Sequence, residues 1–227
     1  MELLSSSAFW IGLLEVIGIN IVLSGDNAVV IALAARSLPP EQQRRAIQFG
    51  SGAAVVLRIL LTFMAAQLLQ LPWLQIVGGC LLLWIGTQLL VSGDEGDAES
   101  KGPNSMMVAI RTILLADLVM SLDNVIAVAA AAQGNMVLLI LGLAISIPLV
   151  IFGSTLIIKI MDRFPVIVTL GAALIGWVAG ETITSDEMLK NIVASYPWIK
   201  YAASVLGALL VIAIGALWQR RSKSFQN

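Results

Sequence analysis

The sequence predicts an all-α polytopic membrane protein with seven transmembrane helices: two inverted three-helix repeats plus one extra C-terminal helix. Three observations predict it. The 227 residues are 59% hydrophobic and 12% charged, where soluble domains average about 25% charged. The apolar residues fall in long runs, and a spanning helix needs about 20 of them. The polar punctuation of the first three runs also recurs in the next three.

The first run covers residues 8–35 and is long enough to be tilted or broken. It is not read as a signal peptide, because it lacks a basic leader and is interrupted by Glu15, Asn20 and Asp26. Residues 36–45 read as a polar connector, with Pro39 and Pro40 ending the first helix. The second helix is placed at 46–70 with Arg58 at mid-depth, and the third runs from Pro72 to about 91. Residues 93–104 form an acidic cytoplasmic loop with Asp94, Glu95, Asp97 and Glu99, most simply a solvated linker. The fourth helix is placed at 105–132, the fifth at 136–160 after a turn at Gly134 and Asn135, and the sixth from Pro165 to 184. A polar stretch leads to the seventh at 198–218, and a basic tail follows. The domain division is thus 8–92, 93–104, 105–184 and 198–218.

Basic residues set the expected orientation. With the N-terminus outside and the C-terminus inside, ten of the 13 lysines and arginines are cytoplasmic. Trp10, Trp73, Trp198 and Trp218 fall at helix ends, as interfacial anchors do. Net charge is −1, which gives no electrostatic case for nucleic acid. The chain has no histidine and a single cysteine, Cys80, read as a small packed side chain.

The repeat is read by superposing the chain on itself. At an offset of 97, Val22, Ser24, Asp26, Asn27, Ala34 and Ala35 match Val119, Ser121, Asp123, Asn124, Ala131 and Ala132. At 93, Thr62, Pro72, Gly78, Leu81 and Trp84 match Thr155, Pro165, Gly171, Leu174 and Trp177. Units with an odd number of helices must lie upside down to each other, the architecture of many secondary transporters. Trp84 and Trp177 read as a symmetric packing pair, and Gly142, Gly171, Gly176 and Gly180 as close-packing positions.

The duplicated Ser-x-Asp-Asn carries the chemistry. An ionised Asp at mid-membrane costs roughly 2.5–3.5 kcal/mol, so Asp26 and Asp123 require a function or a partner. Asn20, Ser24 and Asn27 share one helix face, and Asp117, Ser121 and Asn124 form the counterpart stripe. On an unbroken helix Asp26 and Asp123 lie about 120° from Asn20 and Asp117. Two geometries are open: local unwinding, aided by Gly25, or an Asp flanking the stripe from the next row. Leu122 replaces glycine in the second copy, so unwinding is less favoured there. The set Asp26, Asp123, Asp117, Asn27, Asn124 and Asn20 offers only oxygen, which suits Mn²⁺, Mg²⁺ or Ca²⁺. A carboxylate without its cation in low dielectric takes up a proton more readily, so protons are the candidate coupling ion. Ser24 and Ser121 are equally readable as interhelical hydrogen-bonding groups. Glu181 reads either as a gate or as a residue near the membrane interface, and Glu15 as a vestibule or interface residue. Arg58 reads as a buried counter-charge for one of the acids, either holding an empty site or forming a structural ion pair.

The segments Leu23-Ser-Gly-Asp-Asn-Ala-Val-Val-Ile-Ala and Met120-Ser-Leu-Asp-Asn-Val-Ile-Ala-Val resemble the TerC family of integral membrane proteins, in its short bacterial branch. That family is similar to the lysine-exporter superfamily in its inverted three-helix repeats. The resemblance implies metal-ion transport, most often manganese export from the cytoplasm across a bacterial inner membrane. By position it implies Asp26, Asn27, Asp117, Asp123 and Asn124 as ligands. This chain departs from symmetry in having Asn20 opposite Asp117. The expectation is therefore a secondary exporter of a divalent cation, Mn²⁺ first. The alternatives are export of a small amino-containing solute, such as a basic amino acid, or a non-transporting membrane assembly factor. An enzyme is not expected, since there is no nucleophile–base pair and no metal-protease spacing.

Overall fold

The apolar runs fold as helices, and their ends follow local chemistry. A computed structural model describes residues 7–68, 71–91, 103–132 and 135–224, and within them there are nine helices and no strand. They are α1 (Ser7–Leu23), α2 (Gly25–Ala35), α3 (Pro40–Leu68), α4 (Leu74–Val91), α5 (Pro103–Ala131), α6 (Met136–Arg163), α7 (Val166–Thr184), α8 (Lys190–Ser195) and α9 (Trp198–Ser224). Six of these are long and apolar enough to cross a membrane. Helices α1 and α2 pass the same test together, bent by 51° at the break between them, and the number of candidate spans is seven if the pair is counted as one. The acidic loop at residues 93–102 and Gly134 lie outside the described residues, as do the side chains of the basic tail.

Two expected boundaries are corrected. Pro40 opens α3 instead of ending the helix before it. At the first helical position its missing N–H has no intrahelical partner to lose. The polar stretch before residue 198 also contains the short helix α8. Asn135 caps α6: its Oδ1 accepts from the backbone N–H groups of Val137 at 3.0 Å and Leu138 at 3.3 Å.

The bundle pairs α1 and α2 with α6, α3 with α5, and α4 with α7, and α9 lies along α7 and α4. The α7–α9 pairing depends on glycine. A Cβ on Gly207 would strike the backbone of Gly176, and one on Gly180 would strike the backbone of Ala203. Small residues of this kind let helix backbones approach closely, which drives helix association in lipid. Gly142 likewise receives Val16 of α1, and Gly171 receives Val29 of α2.

Two readings of apolar residues are corrected by the same geometry. Trp84 and Trp177, expected to pack as a symmetric pair, are both exposed, and unequally so, at 58% and 36%. Cys80 is exposed as well. The glycine faces of α4 and α7 are buried, and both tryptophans lie off those faces.

Substituting Val for Gly207 should destabilise the bundle by about 1–3 kcal/mol or more, because rigid backbone cannot make room. Gly18→Ala, with nothing within 4 Å of the new Cβ, should be neutral. Thermal midpoints of the two purified variants in detergent check this pair.

Candidate functional site

A single arginine gathers the polar face of three spans. Arg58 of α3 is 3% exposed. Its Nη2 donates to Asp117 Oδ1 of α5 at 2.6 Å, and its Nε donates to Ser121 Oγ at 2.9 Å. Its Nη1 donates to Asn20 Oδ1 of α1 at 2.7 Å and to Ser24 Oγ at 2.9 Å. The acceptors are tied to each other. Ser121 Oγ donates to Asp117 Oδ2 at 3.1 Å, and Ser24 Oγ donates to Asn20 Oδ1 at 3.3 Å. The spacing of four residues within each helix makes these pairs, because i and i+4 share a face. A buried ion pair survives in an apolar interior only when its remaining hydrogen-bonding capacity is also met.

The bend between α1 and α2 falls at Ser24, whose backbone leaves helical geometry at φ −111° and ψ 6°. Serine usually caps such a helix start with its hydroxyl. Here that hydroxyl serves Arg58 and Asn20 instead, and the Asp26 carboxylate accepts from the Asn27 N–H at 2.8 Å. The carbonyl of Leu23, released by the break, accepts from Asn124 Nδ2 of the second motif at 3.0 Å. The two motifs thus touch through an amide on a released carbonyl.

Beside Arg58 lies a cavity of about 20 Å³, room for one water-sized group. Its polar lining includes Asn20, Ser24, Asn27, Ser51, Asp117 and Ser146. Asn27 Nδ2 and Oδ1 and Ser51 Oγ are buried there without a hydrogen-bond partner among the described residues. Leaving such groups unpaired costs about 1–3 kcal/mol each. This cost marks the cavity as a place for a polar occupant.

The carboxylates expected to share one ion are parted in this conformation. Asp117 is buried on Arg58, whereas Asp123 is exposed and accepts from Gln75 Nε2 of α4. Among the described residues no three acidic, thiol or imidazole groups are placed to hold a metal. The reason is periodicity: α5 is unbroken, so Asp117 and Asp123 lie about 120° apart around it. Glu181 of α7 sits away from Arg58 and pairs with Lys200 of α9 at 2.6 Å, both partly exposed.

Four contributing residues were missed in the sequence: Gln75, Ser51, Ser146 and Asp186. Ser51 and Arg58 are seven apart on one helix, a signal that was available. Asp186 had none, because its role is made by the turn before α4. It is fully buried and accepts from the backbone N–H groups of Trp73 at 3.2 Å, Gln75 at 3.1 Å and Ile76 at 3.3 Å. Trp73 there adopts φ 72°, a left-handed conformation unusual for a bulky residue. Asp186 therefore fixes the start of α4, and with it the Gln75 side chain that holds Asp123. Burial alone would raise the Asp186 carboxyl, but the N–H donors of Met188, Trp73, Ile76 and Gln75 outweigh it and hold the group below the ordinary carboxylate value.

The arrangement binds a cationic group among oxygen acceptors in an apolar setting, at the crossing of a broken and a continuous helix. Asp117→Ala alone should destabilise by about 3–5 kcal/mol, because Arg58 is left buried and uncompensated. The Arg58→Met, Asp117→Leu double variant should recover most of that loss, as a double-mutant cycle of thermal midpoints would show. For Asp186 the folded value lies below the unfolded one. Its stabilisation is thus present above about pH 4 and lost as pH falls through the folded value. An acid titration of thermal stability in detergent should lose part of its downward limb in Asp186→Asn.

Residues 5–223 match the model of the Integral membrane protein TerC family. The chain is 41% identical over 215 residues to the uncharacterized membrane protein YjbE of Bacillus subtilis (strain 168), covering 95% of this chain and 98% of that protein. It is 26% identical over 187 residues to YceF of the same organism, covering 78% of this chain and 72% of that one. It is 27% identical over 189 residues to the UPF0053 inner membrane protein YoaE of Escherichia coli (strain K12), covering 75% of this chain but 36% of that longer one. No solved structure matches. A family match over nearly the whole length, on a bundle of membrane-spanning helices carrying the duplicated Asp-Asn motif, makes this chain a multi-pass member of the TerC family of integral membrane proteins.

Proposed function

We propose that the chain is a secondary transporter that exports a divalent cation, manganese first, from the cytoplasm. The observation that carries this reading is the buried oxygen set of Asn20, Ser24, Asp117 and Ser121, gathered at the helix break and already bound to a cation, the Arg58 guanidinium. Hard divalent cations take carboxylate, amide and hydroxyl oxygens. Membership of the family supports transport, and the description of YoaE as an inner membrane protein supports that location here.

In this reading Asp117 and Asn20 form the inner part of the site and Asn27 faces the cation from the adjoining cavity. Asp26, Asp123 and Asn124 join when the helices carrying them shift. The chemistry is binding and release, without covalent catalysis or a resident cofactor. Protons taken up by Asp26 and Asp123 once cargo has left provide the counter-flow. Rocking of two inverted three-helix units, with the N-terminus outside, provides alternating access.

One observation favours a second reading. The same oxygen set accommodates a guanidinium, so a small cationic amino-containing solute such as a basic amino acid is the alternative cargo. Thermal protection of the purified protein separates the two: Mn²⁺ should raise the midpoint, and lysine or arginine should not.

Reconstituted in liposomes, the protein should move Mn²⁺ down an imposed gradient and change internal pH as it does so. Asp123→Ala should reduce that flux to the level of empty liposomes while leaving the protein inserted. Unimpaired flux in the variant would remove Asp123 from the site.

A further inference from the structure

We infer that Arg58 is a tethered competitor of the transported cation: it occupies the site in the cargo-free state and swings toward the unpaired acceptors of the neighbouring cavity when cargo binds. The inference rests on the export reading above and deepens it.

Three observations carry it. First, Arg58 takes the same atoms a hard cation would take, bonding one carboxylate, one amide oxygen and two hydroxyls. A divalent ion on Asp117 and Asn20 would take the guanidinium's carboxylate and amide acceptors, leaving it only the two hydroxyls, and would repel its charge, so the two occupants exclude each other. Second, a second seat exists beside the first. Asn27 Oδ1 and Ser51 Oγ are buried acceptors without a partner among the described residues, and they line the cavity that Arg58 also lines. Helix side chains lean toward the helix N-terminus, and Ser51 lies on that side of Arg58, on the same face of α3. Third, the present seat ties α3 to α1 and to α5 at once. Moving Arg58 breaks both polar ties, so occupancy by cargo is read out as loosening of the helices around the break.

The consequence for transport is definite. With Arg58 seated, the cargo-free site carries a compensated carboxylate and the empty carrier can return. Without it, Asp117 is uncompensated unless cargo is present, and the carrier is restricted to exchange of one bound ion for another.

The test uses the full chain in detergent for Mn²⁺ binding and in liposomes for flux. Apparent affinity is reduced by the fraction of time the site is free, so removing the competitor should tighten Mn²⁺ binding, by about tenfold in Arg58→Met. Net Mn²⁺ efflux into metal-free medium should fall by about tenfold in that variant while exchange against external Mn²⁺ persists. Arg58→Lys keeps the charge and the fold but cannot bond all four acceptors, and should tighten binding by about threefold. Ser51→Val removes an acceptor of the second seat and should act oppositely, weakening Mn²⁺ binding about threefold. Unchanged or weaker Mn²⁺ binding in Arg58→Lys, with wild-type flux intact, overturns the competitor role and leaves the export reading standing. Absence of binding and flux for every divalent cation in the wild-type protein overturns both.

Discussion

A buried guanidinium–carboxylate pair, Arg58 with Asp117, is the constraint around which the membrane bundle is arranged. Neither charge is stable alone in an apolar interior. Together they require two further hydroxyls and an amide to complete the hydrogen bonding, and these come from Ser24, Ser121 and Asn20. The demand is geometric: α1, α3 and α5 must meet at one depth and in one rotation for all five groups to converge. The surrounding apolar walls, including Ile31, Ala54, Val55, Ile147 and Val150, leave little room for another solution.

The helix break belongs to the same arrangement. Ser24 leaves helical geometry and gives its hydroxyl to the cluster, while Asn124 takes the carbonyl that the break releases. In the second motif Leu122 stands where the first has Gly25, and α5 runs through without interruption. The two copies of one motif therefore play different parts. One supplies a bend, and the other supplies the rigid rail that carries Asp117, Ser121 and the amide that steadies the bend. A second polar assembly, at the start of α4, holds Asp123 through Gln75 and Asp186, apart from the first. Bringing Asp123 toward Asp117 requires these two assemblies to move relative to each other.

Much of this was legible in the residues themselves. The spans followed from run length, the oxygen-only chemistry from the absence of histidine, and the stripes Asn20–Ser24 and Asp117–Ser121 from their spacing of four. Arg58 was readable as a counter-charge, because an isolated mid-membrane arginine is too costly to stand alone. What did not follow was its choice of Asp117 over Asp26 or Asp123, since that depends on which face of α3 meets α5. Pro40 was misread as a stop because a proline ends one helix and begins another with the same ring. Trp84 and Trp177 were read as a packing pair, but in lipid a large apolar side chain is equally at home on the outer face, and both are left largely uncovered by the bundle.

The sequence by itself determined the membrane-spanning helical class, the two Asp-Asn motifs and the oxygen character of the site, all of which are local in composition and periodicity. Only the tertiary structure decided that Ser24 is where the first apolar run bends, that Arg58 already fills the oxygen set, and that Asp117 and Asp123 stand apart. These are outcomes of helix rotation and close approach, fixed where glycines such as Gly142, Gly171 and Gly207 let neighbouring backbones or side chains in. Periodicity places a side chain on its own helix; which partner it meets depends on contacts between residues far apart along the chain.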